Sequence, residues 1–238
     1  MNRILNKYAD FEGIGFLPKI MQEFNINLKV EGKENLPENG RCFFVSNHPF
    51  GIIDGLVLTL IIAEKYSRLK AIGNDAFIFI PHLRPLIAGV NVFGKNSKEY
   101  ITALDEVFKS DIPITHFPAG EVSRVYRGRI QDGQWQKSFV GKSIAVKRDI
   151  VPVFLYGRNS FLFYIIYVIR KILGIKINLE LVLLPGEAFK KRNKTIRMKI
   201  GKPISFEKFD KTFSHFEWAQ KLKAYVYNMG KSKAINNF

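Results

Sequence analysis

The sequence predicts an α/β fold in a single domain, with a mixed, largely parallel sheet flanked by helices. Three observations carry this. Short apolar runs of strand length alternate along the chain with segments of helical periodicity, the pattern of βα units. The chain has 238 residues, 47% of them hydrophobic, enough for one sizeable core. No repeat, low-complexity tract or Pro/Gly/Ser linker divides it, so residues 1–238 read as one unit, with a helical segment over 1–30 leading into an α/β core over 41–205.

The elements follow in order. Ile14 to Phe24 places Phe16, Leu17, Ile20 and Met21 on one face of a short amphipathic helix, with Pro18 in the first turn, where its missing N–H does no harm. Ile26 to Val30 reads as a strand entering the core and Cys42 to Val45 as a buried strand. Ile53 to Tyr66 is a mostly apolar helix, and Tyr100 to Phe108 is another, with Ile101, Leu104 and Phe108 at helical spacing. Ile112 to Phe117 is a strand that stops at Pro118-Ala119-Gly120, a turn signal. Helix returns from Lys137 to Lys147, and Ile150 to Tyr156 is an apolar strand. The strands Ile177 to Leu184 and Thr195 to Ile200 flank the basic turn Lys190 to Lys194, and a helix from about Phe213 to Met229 closes the chain. The uncharged run Phe161 to Ile169 is nine residues long. That is about half of the ~18 needed to span a bilayer, so it fits a buried helix and an interfacial one equally well.

Composition narrows the partners. Lys and Arg number 37 against 21 Asp and Glu, a net charge of +16 and a pI near 9.8, which favours a polyanion: nucleic acid or the anionic leaflet of a membrane. The single cysteine, Cys42, excludes an intramolecular disulfide and a cysteine-based metal site, and suits a reducing compartment. Residues 1 to 13 have no apolar stretch followed by a small-residue cleavage site, so no signal peptide is expected.

Two turns follow short buried strands directly, where α/β sheets place their sites. The first is Asn47-His48-Pro49, followed by Asp54; the second is Pro118-Ala119-Gly120-Glu121, followed by Arg124. Histidine suits proton transfer near neutral pH, and a carboxylate on its far nitrogen fixes the tautomer and stabilises the imidazolium. In one continuous helix, at about 100° per residue, His48 and Asp54 would diverge by about 240°. His48 must therefore sit in the turn before the helix, which Pro49 and Gly51 permit.

At these residues the sequence resembles the glycerolipid acyltransferase superfamily, membrane-associated enzymes that acylate glycerol 3-phosphate and lysophosphatidic acid. Asn47-His48-Pro49-Phe50-Gly51-Ile52-Ile53-Asp54 matches the first motif with five residues between His and Asp rather than four. Phe117-Pro118-Ala119-Gly120-Glu121 is similar to the third motif, with the glutamate after the glycine instead of before it. Ile150-Val151-Pro152-Val153 resembles the fourth, and Val92-Phe93-Gly94-Lys95 suggests the second. Similar variants occur in bacterial acyltransferases described as hemolysin-like or acting on amino-acid lipids such as lyso-ornithine or glycine lipid, so the acceptor stays open.

The resemblance implies a glycerol-phosphate acyltransferase-like fold with a membrane-facing N-terminal segment and a catalytic core. His48 would be the general base and Asp54 its orienting partner. Asn47, Lys95, Pro118, Gly120, Glu121 and Arg124 would contact substrate, and backbone N–H groups after Phe117 would meet the oxyanion. Acyl-CoA or acyl-carrier protein would serve as co-substrate, with no metal or other cofactor and no nucleic acid. Cys42 sits in an apolar strand and suits an inert thiol, so no acyl-enzyme is expected. The expected location is the cytoplasmic face of the inner membrane, peripheral or monotopic, through Phe16, Leu17, Ile20 and Met21 and through Phe161 to Ile169. The competing class, a basic nucleic-acid-binding protein, would account for the charge but not for His48, Asp54 and the two turns.

Overall fold

The structure, a computed structural model, describes residues 2–74, 80–90, 98–231 and 238. Its strands are β1 (Asn27–Glu31), β2 (Cys42–Ser46), β3 (Lys70–Asn74), β4 (Ile87–Val90), β5 (Ile114–His116), β6 (Arg124–Tyr126), β7 (Arg129–Gln131), β8 (Asp149–Tyr156) and β9 (Thr195–Ile200). Seven of them form one sheet in the order β1-β9-β8-β2-β5-β3-β4, while β6 and β7 make a separate antiparallel hairpin. Within the large sheet every neighbouring pair is parallel except β8 with β9. The helices are α1 (Asn2–Lys7), α2 (Phe16–Phe24), α3 (Ile52–Tyr66), α4 (Lys98–Lys109), α5 (Ser138–Ala145), α6 (Phe161–Ile172), α7 (Leu184–Phe189) and α8 (His215–Met229).

Alternation along the central strands builds two cores. Phe44 of β2 and Val151, Val153 and Leu155 of β8 face α2 and α3 on one side. Phe43 and Val45 of β2, with Ile114 and Ile150, face α5 and α8 on the other. Because β2 is covered on both faces, its five residues are all buried, which explains its unbroken apolar reading.

Two expectations are corrected and a third is divided. Phe16, Leu17, Ile20 and Met21 are buried in the core beside α3 rather than turned outward, because the apolar face of α2 finds a protein partner. Ile177 to Leu184 forms no strand: Leu179–Leu183 is a 3-10 turn and Leu184 opens α7, with Pro185 in its first turn. Glu180, fully buried in this segment, is tied to two arginines instead. The run Phe161 to Ile169 divides between both of its readings. Phe163, Tyr164 and Tyr167 are buried, while Phe161 is 80% exposed and Leu162, Val168 and Ile169 also face outward.

Candidate active site

Strands β2 and β5 are adjacent and parallel, so their carboxyl ends deliver the two turns to the same edge of the sheet. The turns touch: the His48 ring stacks on Phe117 with centroids 4.2 Å apart and planes 22° apart. Helix α3 begins at Ile52, which leaves His48 in the preceding loop and puts Asp54 in the first helical turn. That placement explains the five-residue interval, since the loop doubles back before the helix starts.

Asp54 is fully buried, and its Oδ2 does three things. It accepts the N–H of Phe50 at 2.7 Å and of Gly51 at 2.8 Å, and it lies 2.9 Å from His48 Nδ1. The two backbone donors lie just before α3 and hold the carboxylate beside His48. Nδ1 is shielded from solvent while the side chain is 18% exposed, so the ring's open side is its Nε2 edge. The contact with Asp54 is close without being a well-aligned hydrogen bond; such catalytic contacts commonly tighten when substrate enters. Gly51 has φ +91°, which strains any side chain there, and a Cβ would also crowd Leu184 at 3.0 Å and Val122 at 3.1 Å.

The other histidine at a strand end, His116, is not equivalent. Burial pushes its pKa down to about 4, and its Nδ1 has no hydrogen-bond partner. It stays neutral at physiological pH without a carboxylate to orient it. Cys42 is also set aside, since burial pushes its thiol up to about 12.

Several residues expected to touch substrate are engaged elsewhere. The Asn47 amide bridges β8: Nδ2 donates to Leu155 O at 2.9 Å and Oδ1 accepts Leu155 N–H at 2.7 Å, so this buried side chain extends the strand pairing. Arg124 is fully buried. Its Nε donates to Glu180 at 3.0 Å and its Nη1 to Val122 O at 2.6 Å, and its guanidinium stacks over Phe163 and Tyr167. It is a strut of the fold, not a headgroup ligand. Pro118 is buried, with its carbonyl accepting Gln136 N–H. Gly120 is exposed at φ +68° and its N–H is spent on Phe117 O, closing the turn, so it is not an oxyanion donor. Glu121 is half-buried and accepts the Tyr126 hydroxyl at 2.5 Å. Lys95, with the second motif, lies outside the described residues.

Sequence reasoning missed the support beneath His48. Asp132, fully buried, accepts His48 N–H at 3.1 Å and Ser123 Oγ–H at 2.6 Å through Oδ1, and Trp135 Nε1–H at 2.9 Å through Oδ2. Ser123 N–H in turn donates to His48 O at 2.8 Å. Both backbone polar groups of His48 are therefore held by the Ser123–Asp132 pair. Burial pushes the Asp132 carboxyl up, and these hydrogen bonds oppose that shift. In sequence Asp132-Gly133 reads as an ordinary turn, and no motif marks it. Asp132→Asn is expected to fold and to lower kcat by about ten- to a hundredfold with little change in KM, because misplacing a catalytic group by about 1 Å costs that much. Steady-state kinetics on the variant measures this, and a wild-type kcat would show that the clamp does not position His48.

Comparison with known proteins accords with this geometry. The acyltransferase family's sequence model matches residues 1–234. The chain is 40% identical over 230 residues to a lyso-glycine lipid O-acyltransferase of Phocaeicola vulgatus, covering 96% of this chain and 82% of that one. It is also 40% identical over 230 residues to a protein of the same name from Bacteroides thetaiotaomicron, covering 96% and 85%. In fold it is similar to the crystal structure of the 1-acyl-sn-glycerophosphate (LPA) acyltransferase PlsC from Thermotoga maritima, with a TM-score of 0.59 at 16% identity over 93% of this chain and 79% of that one. With a family match along nearly the whole chain and the His48–Asp54 pair at the strand-end turn, the protein belongs to the acyltransferase family and is an enzyme of that class.

Proposed function

We propose that the protein transfers a fatty acyl group from an acyl thioester, carried by CoA or acyl-carrier protein, to a hydroxyl of a lyso-glycine lipid at an anionic membrane surface. The pairing of His48 with Asp54 carries the chemistry, and the 40% identity to two enzymes of that name supports the acceptor. Glycine has no side-chain hydroxyl, so an O-acylation must fall on a hydroxyl of the chain attached to it. His48 Nε2 takes that proton as the oxygen attacks the thioester carbonyl, with Asp54 stabilising the imidazolium. Collapse of the tetrahedral intermediate forms the ester and expels the thiolate, which takes the proton back from His48. The test is acyl transfer by purified protein to a lyso-glycine lipid beside lysophosphatidic acid. Transfer to lysophosphatidic acid alone would replace the acceptor with a glycerol phosphate.

The membrane part of the proposal rests on α6 and the segment after it. Ten of the thirteen large apolar residues that are exposed among the described residues lie between Phe161 and Val182, with Ile172 78% and Val182 79% exposed. The groove they border, lined by Val125, Phe161, Tyr164, Ile165, Val168 and Ile169, is wholly apolar. Lys171 and Lys176 stand exposed beside this face, a pairing of apolar insertion with cationic attraction that suits an anionic leaflet. No helix among the described residues is long and apolar enough to cross a bilayer. Replacing Phe161, Leu162, Ile172 and Val182 together by Ser is expected to weaken binding to anionic vesicles about tenfold or more while the variant melts as the wild type does. Co-sedimentation with vesicles of stated phosphatidylglycerol content measures it, and undiminished binding would remove this face from the proposal. Phe163 and Tyr164 are unsuitable for that test, since both are buried.

A further inference from the structure

The acceptor proposed above carries a charge that the catalytic pair does not explain. When a glycine is attached to a fatty chain through its nitrogen, its carboxylate remains free, so the site needs a cation set apart from the base. Arg124, enclosed by Glu180 and aromatic rings, is not that cation.

Resting on the lyso-glycine lipid reading, we infer that Lys191 is the anchor for the acceptor's carboxylate, held over Phe50 at the rim of the catalytic turn. Lys191 Nζ lies 4.6 Å from the centroid of the Phe50 ring. Phe50 is two residues beyond His48, and its own N–H is one of the two backbone donors to Asp54. The Phe50 ring packs closely against Gly157, where a Cβ would come within 1.9 Å of it, so the ammonium rests on a buried, closely packed ring. One of its protons goes to Arg158 O at 2.9 Å, which places the ammonium beside the carboxyl end of β8, next to the end of β2 that carries His48.

Two neighbouring charged groups are already committed. Glu187 accepts Ser160 N–H, Ser160 Oγ–H and Lys190 Nζ, and Arg192 reaches Glu23. Among the described residues no carboxylate comes within ion-pair distance of Lys191, although it is half-buried. Burial pushes its pKa down, and Lys190 and Lys194 add to that, while the charges of Glu187 and Asp54 act to keep it protonated. A half-desolvated ammonium with protons to spare, on a closely packed aromatic platform beside the general base, fits the end of an amphiphile whose hydroxyl must reach His48.

The test uses full-length protein and two unreactive probes that lack a hydroxyl, N-dodecanoylglycine and its neutral glycinamide, with binding measured by calorimetry. Wild type is expected to bind the acid about tenfold more tightly than the amide, the range for a partly desolvated ion pair. Lys191→Met should bind both alike, with the amide affinity unchanged, and Lys191→Arg should keep most of the preference. A Lys191→Met protein that still prefers the acid overturns the inference. So does one that loses only affinity for acyl-CoA, since the cation would then serve the donor's phosphates. Turnover separates the inference from the reading it rests on. If wild type shows the Lys191-dependent preference but transfers nothing to a tail-hydroxylated N-acylglycine, the carboxylate site stands and the acceptor assignment falls.

Discussion

His48→Ala is expected to fold like the wild type and to transfer acyl groups about 100- to 10,000-fold more slowly, the usual contribution of a positioned general base. The fold should survive because the turn is held through the His48 backbone, by Asp132 and Ser123, and alanine keeps both of those bonds. What it removes is the proton acceptor and the stacking partner of Phe117. Asp54 divides into two tests. Asp54→Asn leaves an oxygen for the Phe50 and Gly51 N–H groups and takes away the charge that stabilises the imidazolium, so activity should fall with stability nearly intact. Asp54→Ala also strands two buried backbone donors, each costing about 1–3 kcal/mol, so it should lose stability as well. Thermal melts beside acyl-transfer rates separate these effects. Wild-type rates in a well-folded His48→Ala protein would refute the mechanism, and Asp54→Asn melting as low as Asp54→Ala would show that the charge, not the oxygen, holds the turn.

The meeting of His48 with Asp54 was legible in the sequence because its logic is local. A buried strand, a Pro/Gly-interrupted turn and an acid placed early in the next helix leave few other arrangements, and His48 and Asp54 meet as that spacing requires. The central strands were legible for a related reason: β2 and β8 are buried on both faces and read as unbroken apolar runs. Strands β3 and β4 were not, since KAIGN and IAGV are short and carry no lasting alternation. Arg124 and Asn47 were misread because being next to a motif says nothing about which way a side chain turns. Arg124 points inward to a glutamate 56 residues away, and Asn47 to a strand 108 residues away. The amphipathic face of α2 posed the same problem. Periodicity shows that a face is apolar without showing whether protein or lipid covers it, and only the packing against α3 decides.

Glu180→Ala is expected to destabilise the protein by about 3–5 kcal/mol, because it leaves buried guanidinium groups without their counter-charge. Glu180 and Arg124 are fully buried and Arg170 nearly so. The carboxylate accepts Arg124 Nε at 3.0 Å and Arg170 Nη2 at 3.1 Å through Oε1, and Arg170 Nε lies 2.9 Å from Oε2. Two cations share one anion, so removing the anion adds mutual repulsion to the lost attraction. In a chain of this size about 1 kcal/mol moves Tm by about 2–4 °C, so a drop near 10 °C is anticipated. The set also joins parts with different roles. Arg124 opens β6 directly after Ser123, which holds the His48 carbonyl, and Arg170 lies on the inner side of α6, whose outer side carries the exposed apolar face. Activity should therefore fall with stability, at temperatures below the melt, as the Ser123 side of the clamp loosens. Replacing the whole set, with Arg124→Met, Glu180→Leu and Arg170→Met together, should recover much of the lost Tm, since buried ion sets are often matched by apolar groups of similar volume. Calorimetric melts of the single and triple variants decide the matter. A Glu180→Ala protein that melts with the wild type would mean that these arginines find water or other acceptors, and that the set does not hold α6 against the hairpin.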